Sequence, residues 1–451
     1  MPASPRMLYQ GIFFIFLSSP FISSCSSASN TLQSEKQTKD EPQPEYFNKK
    51  ELQYTDKIYD ESIKTVILHI KGSELDAPII PLNGDEKIVL RFDDLDENVR
   101  EMHYSFIHCT WDWKPSDLQL MDFQTGYNSD IITNYDFSFN TVNNYTNYQL
   151  EFPNSRIQLI RSGNYIVQVY ANGNPEDLIL TSRFMVVEPK VSISTTVQPS
   201  SVVSEREYRQ EIDINVNIGA IQTMNPYRDI ELVVLQNLRR DNAITGVKPN
   251  FIKNQQLTYN YQGELTFDGG NEYRFFDAKS LRYRSEEVEE IRLENDGYHI
   301  YLAPDHGKAF KQYTFENDIN GKLLIRNDDM VDAHLESDYV TVHFSFPVDA
   351  FLGNGRMYLM GQLSNWEIQR THELTFNPDN LNYEAAILLK QGYYNYAYLW
   401  KYDKQNQGSM ELTDGNHSET ENDYTVLVYF KDQSFFSDRL IGVERVNSMK
   451  R

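Results

Sequence analysis

Apolar and polar residues alternate in short runs along most of the chain, with a repeat of two. Glu211-Ile212-Asp213-Ile214-Asn215-Val216-Asn217-Ile218 is the cleanest run. In a strand, successive side chains point to opposite faces, so this run predicts one buried face and one wet face. Further strands are expected at 65–70, 87–92, 104–113, 147–152, 162–170 and 183–187. Others are expected at 230–237, 298–302, 339–346, 383–389, 393–398 and 425–430, with a strand and turn together over 357–366. Asp93-Asp94-Leu95-Asp96, Pro153-Asn154 and Asp318-Ile319-Asn320-Gly321 punctuate them as turns. No long helical period intervenes. The pattern predicts an all-β chain of tandem immunoglobulin-like or early-set β-sandwiches. They are expected at 51–188, 189–336 and 337–443, with a tail at 444–451.

The middle of the chain carries a denser stretch, Gly269-Gly270-Asn271-Glu272-Tyr273-Arg274-Phe275-Phe276-Asp277. Two glycines permit a tight turn. Three aromatic rings are large enough to fix the stretch against a core. Arg274 is a five-donor fork, and Asp277 is the carboxylate expected to receive it. Neither a nucleophile nor a metal set lies nearby, so a locked corner between strands is expected here.

The N-terminus departs from this pattern. Arg6 precedes an apolar run at 11–17, too short to span a bilayer, which leads to Ile22-Ser23-Ser24-Cys25. A short apolar core followed by small residues marks an export signal. A cysteine directly after the small pair resembles a bacterial lipoprotein signal. Residues 1–24 are therefore expected to be removed and Cys25 to carry the lipid; the alternative is an ordinary cut near Ala28. Residues 25–50 are rich in Ser, Gln, Glu, Lys and Pro and read as a flexible tether.

Composition narrows the function. Of 451 residues, 40 % are hydrophobic and 13 % aromatic, which excludes a disordered chain. The net charge of −23 argues against nucleic acid as a partner, because phosphate binding rests on Lys and Arg. Two cysteines, Cys25 and Cys109, make neither a disulfide framework nor a metal cluster. Cys109 is expected to be a small buried hydrophobe.

The histidines are scattered, His69, His103, His108, His299, His306, His343, His372 and His417 among them, and form no HExxH. There is no GxSxG, P-loop or helix-opening GxGxxG. Acidic pairs are many, as this charge requires, so a pair of carboxylates carries little weight. No catalytic, cofactor-binding or metal-binding residue is assigned, and an enzyme is not expected. Gly361-Gln362-Leu363-Ser364-Asn365-Trp366 and Lys390-Gln391-Gly392-Tyr393-Tyr394-Asn395-Tyr396 resemble early-set modules that bind starch-like glycans. Trp366 and Trp400 would then stack sugar rings; the competing reading has Trp366 filling the core.

A second resemblance spans residues 55 to 443. Its pieces in the first segment are Leu90 to Leu95 (LRFDDL), 109–116 (CTWDWKPS), 145–148 with 152–154, 162–165 and 183–186. In the middle they are Gln236-Asn237, the 269–277 stretch and 318–321. In the last segment they are 338–340, 389–396, 420–424 and 438–442. In this order they resemble the type IX secretion system plug proteins of Bacteroidota-type bacteria. The resemblance implies a non-enzymatic plug that closes the periplasmic opening of a large outer-membrane β-barrel translocon when no cargo is exported. A lipid at Cys25, a separate expectation, would hold the protein on the periplasmic side of the outer membrane.

Overall fold

The computed structural model describes residues 50–449, apart from 97, 406 and 435. The expected signal, the tether up to residue 49 and Cys25 lie outside the described residues. Among the described residues, the regular elements are nearly all strands.

The first sandwich packs two sheets. One is 6-stranded, with Gly163–Ala171 between Met102–Cys109 and Leu178–Val187. The other is 4-stranded, in the order Ile63–Ile70, Ile88–Asp94, Thr146–Phe152, Asn134–Phe137. Alternation explains the layering. In Met102–Cys109 the buried positions Met102, Tyr104 and Phe106 face Phe152 and Phe184, while His103 and Ser105 stand on the other face. Phe106, Phe152 and Phe184 meet with ring centroids 4.9 to 5.6 Å apart, a packing worth more than its area alone.

The middle sandwich is built from two distant pieces of chain. One sheet holds Ser192–Pro199, Arg209–Asn217, Gln256–Tyr259 and Phe251–Lys253. The facing sheet places Ile230–Gln236 beside Asp423–Asp432, which pairs in turn with Ser437–Asn447. Ile212, Ile214 and Val216 from the first piece and Val426 and Val428 from the second share one core. The strand expected at 425–430 therefore completes this sandwich and not the 337–443 unit. Alternation fixes which face of a strand is buried, but not which strand lies beside it.

The last sandwich is enclosed between those two pieces. A 9-stranded sheet runs from Arg274–Asp277 through Gly392–Tyr402, Gly355–Met360, Glu373–Asn377, Asn382–Lys390 and Tyr339–Pro347 to Gly297–Leu302 and Val288–Glu294, with Leu323–Ile325 off this path beside Gly392–Tyr402. It starts well before residue 337, because Arg274–Asp277 pairs with Gly392–Tyr402 and Gly297–Leu302 pairs with Tyr339–Pro347. Tyr394, Tyr396, Tyr398 and Trp400 alternate into its core with Phe276 and Phe344. The chain thus crosses from middle to last sandwich at 269–273 and back at 403–422.

Candidate functional site

The three sandwiches meet along buried seams, and each seam is held by side chains from the stretches singled out in the sequence.

The seam between first and last sandwiches centres on Asp93, near the end of Ile88–Asp94. Its carboxylate is 1 % exposed and accepts from every side. Lys390 Nζ donates to Oδ2 at 2.6 Å, Tyr339 Oη to Oδ2 at 2.7 Å, and Asn147 Nδ2 to Oδ1 at 2.6 Å. Lys390, also 1 % exposed, donates to the His334 carbonyl at 2.6 Å and lies 4.1 Å from the centre of the Tyr145 ring. Tyr145 Oη donates to the carbonyls of His334 and Ser337. Backbone joins in: Phe139 N donates to Leu335 O at 2.8 Å, and Val142 N to Asp338 Oδ1 at 2.5 Å. Burial lowers the Lys390 ammonium below the usual lysine range, and Asp93 partly offsets this. Tyr339 is raised far above the usual phenol by burial and by Asp93.

The seam between first and middle sandwiches is mainly apolar. Ala77, Ile79 and Met185 pack against Val233, Leu235, Leu427, Tyr429 and Leu440. Polar contacts fix the register. Tyr429 Oη lies 2.8 Å from Asn164 Oδ1, Trp111 N donates to Asp438 Oδ2 at 3.0 Å, and Glu188 N and Lys190 N donate to Leu440 O and Ile441 O. Two guanidinium groups lie over the Trp113 ring, Arg183 at 4.9 Å and Arg240 at 4.5 Å from its centre.

The 269–277 stretch makes the third seam. Arg274 is buried, but its partners are not the expected Asp277. Nε donates to Asp414 Oδ1 at 2.9 Å, Nη1 to Asp305 Oδ1 at 2.8 Å and Nη2 to His306 O at 2.8 Å. Asp277 pairs with Lys279 at 3.1 Å. The strand explains the correction: residues three apart point to opposite faces. Asp305 Oδ2 also accepts from Tyr396 and Tyr398, each at 2.7 Å. The two glycines play different parts. Gly270 has φ +66, whereas Gly269 sits so close to the returning chain that a Cβ would come 2.0 Å from the His417 carbonyl oxygen. Asn422 Nδ2 donates to Gly269 O at 2.9 Å and to Gln210 Oε1 at 3.1 Å, tying this corner to the middle sandwich.

A cavity of about 140 Å³ lies where all three sandwiches approach, lined by Val66, Leu68, Arg183, Arg240, Lys322 and Trp366 among others. Trp366 is half-buried, edge-on to Tyr273 and against Gly321. Trp400 is fully buried and packs on Tyr383. Cys109 is buried, which pushes its thiol up to about 12.

The profile of the type 9 secretion system plug protein first domain matches residues 63–188. A crystal structure of a hypothetical protein from Parabacteroides merdae ATCC 43184 is similar at 34 % identity, with a TM-score of 0.85, over 88 % of this chain and 100 % of its own. The chain belongs to the type 9 secretion system plug protein family. A putative membrane anchored protein from Corynebacterium diphtheriae aligns at 10 % identity over 80 % of this chain and 86 % of its own, with a TM-score of 0.14. No curated protein matches the chain.

Membership of the plug family gives the chain a role connected with type 9 secretion and associates it with that machinery in the cell envelope. The family is not one of known enzymes. Among the described residues, no helix is long and apolar enough to cross a membrane. Several motifs that carried the resemblance supply seam residues: Asp93 from LRFDDL, Trp111 and Trp113 from 109–116, Asn164 from 162–165, and Lys390 from 389–396. Sequence reasoning missed their pairing, and it gave His334 no place at all. A charged pair at the end of an apolar strand, Asp93-Asp94, was the available signal for the first seam.

Proposed function

We propose that this plug-family protein closes the periplasmic opening of the type 9 outer-membrane translocon when no cargo is being exported, without making or breaking a bond. The observation that carries this reading, beside the family, is the construction of the seams. Each sandwich is bound to the other two by buried polar groups or a shared apolar core, so no pair is free to swing on a linker. A stopper for a wide channel needs a body that keeps its shape. Cys25, as a lipid attachment point, would hold that body at the inner leaflet of the outer membrane and raise its effective concentration near the pore.

The glycan-binding alternative draws no support from the tryptophans. Trp400 presents no face to a sugar, and Trp366 lies against Gly321 and Tyr273.

The test is purification of the tagged full chain from native envelopes. A large outer-membrane β-barrel should come with it, and a strain lacking the protein should admit large solutes through the outer membrane. Absence of the barrel from the purified material, or an outer membrane that stays tight in the deletion strain, overturns the reading. Cys25→Ala should release the protein from the membrane fraction.

A further inference from the structure

Glu272, Asp318 and Glu421 come from three separate segments, namely the 269–277 stretch, the 318–321 turn and the chain returning to the middle sandwich. Each brings an oxygen to within 4.8 Å of the others. Carboxylates of like charge do not gather in a half-dry place without cause. Hydrogen bonds hold part of the group. Glu272 Oε1 accepts from Tyr313 Oη and from Glu421 N, and Asp318 accepts from Tyr273 N at 2.5 Å and Asn320 N at 2.7 Å. Those bonds leave a remainder. Glu272 is 2 % exposed, and its Oε2 is buried with no hydrogen-bond partner.

A residue outside the trio gives an independent sign. Asn320 is 6 % exposed, and its Nδ2 lies 3.0 Å from Glu421 Oε2 and 3.2 Å from Asp423 Oδ2, which sets its amide against the cluster. Its Oδ1 is also buried without a partner. Half a turn of that amide presents a neutral oxygen to whatever the carboxylates hold.

We propose that Glu272, Asp318 and Glu421, with Asn320 and Asp423 beside them, form a calcium site that clamps the middle sandwich to the last. Every donor is oxygen, which selects a hard cation over zinc or copper. Calcium accepts an irregular set of carboxylate and amide oxygens and fills its remaining positions with water, which the half-buried side of Glu421 and Asp318 admits. Magnesium demands a nearer-ideal octahedron and holds its waters more tightly. The site would join Glu272, just before the strand Arg274–Asp277 that enters the last sandwich, to Glu421, just before the strand Asp423–Asp432 that returns to the middle one. It does not depend on the plug reading.

The experiment uses the purified full-length chain, stripped with a chelator and returned to calcium. Millimolar calcium should raise the thermal midpoint by about 3 °C, as expected when ligand exceeds Kd about a hundredfold, and magnesium should do less. Terbium bound in place of calcium should luminesce on excitation of Tyr313, whose hydroxyl touches Glu272, and calcium should quench that signal by competition. Glu272→Gln and Glu421→Gln should each cut both responses at least tenfold in affinity, and Asp423→Asn serves where either fails to fold. Glu294→Gln, in the exposed Glu294, Asp296 and His299 group, should leave them unchanged. A stripped wild-type chain that neither stabilises in calcium nor sensitises terbium overturns the proposal. So does a response that survives in Glu272→Gln or disappears in Glu294→Gln. Gln variants that melt higher than the stripped wild type while its calcium response is nil assign the cluster to a shared proton instead.

Discussion

Asp93 and Lys390 face each other across the first seam with almost no water on either. Taking two charges out of water costs several kcal/mol per ion, and their attraction roughly returns it when every lone pair is used. Here Asn147, Tyr339 and the His334 carbonyl use them. The pair therefore specifies the fit more than it adds stability. Asp93→Ala leaves a buried ammonium and should cost about 3–5 kcal/mol in urea unfolding, whereas Asp93→Leu combined with Lys390→Met should recover most of that. His108 makes a separate prediction. Burial holds it down to about 4, with Nδ1 2.9 Å from Ser116 Oγ. Unfolded, it takes a proton near pH 6.5. Between about pH 6.5 and 4 the unfolded chain binds the more protons, so stability is full above that window and declines as pH falls through it. His108→Gln should flatten the decline, but not abolish it, because His334 and His372 are also held at about 4 by burial. At this scale the sequence shows residue type and hides partners. Arg274 announced a charge-paired corner, but Asp305 and Asp414 lie far along the chain, and only the fold selects them over the nearby Asp277.

Among the elements, the corner at 269–277 separates two uses of glycine that look alike in sequence. Gly270 needs a positive φ and has open space around its α-carbon, so Gly270→Ala should cost about 1–2 kcal/mol and Gly270→Asn less. Gly269 needs room, because its α-carbon faces the backbone at His417. Gly269→Ala should cost more than Gly270→Ala by denaturant unfolding, since backbone cannot step aside as a flexible side chain can. Strands as such were legible: the alternation at 211–218 corresponds to Arg209–Asn217, with Ile212, Ile214 and Val216 inward. Their neighbours were not. Asp423–Asp432 is buried along most of its length, and a continuous apolar run fits the centre of any sheet. Its seat beside Ile230–Gln236 depends on contacts made nearly two hundred residues apart, and no local pattern encodes such a distance.

For the whole molecule, interleaving sets the units that can be cut. A chain ending at residue 422 lacks half the facing sheet of the middle sandwich. Limited proteolysis of that truncated chain should clear residues 189–268 first, while the 274–402 body, whose strands all remain, resists longest. A middle segment that stays protected would refute the two-piece construction. The same interleaving has a temporal side. The chain is made from its N-terminus, and the second half of the middle sandwich, Asp423–Asp432 and Ser437–Asn447, appears only after the whole enclosed unit. The central body must wait as an open half-shell, its apolar face uncovered, while the unit enclosed within it folds first. Nonsense mutations at codons 423–447 should therefore injure the middle sandwich more than the unit enclosed within it, and a chaperone that shields unfinished β-sheets would find its client here.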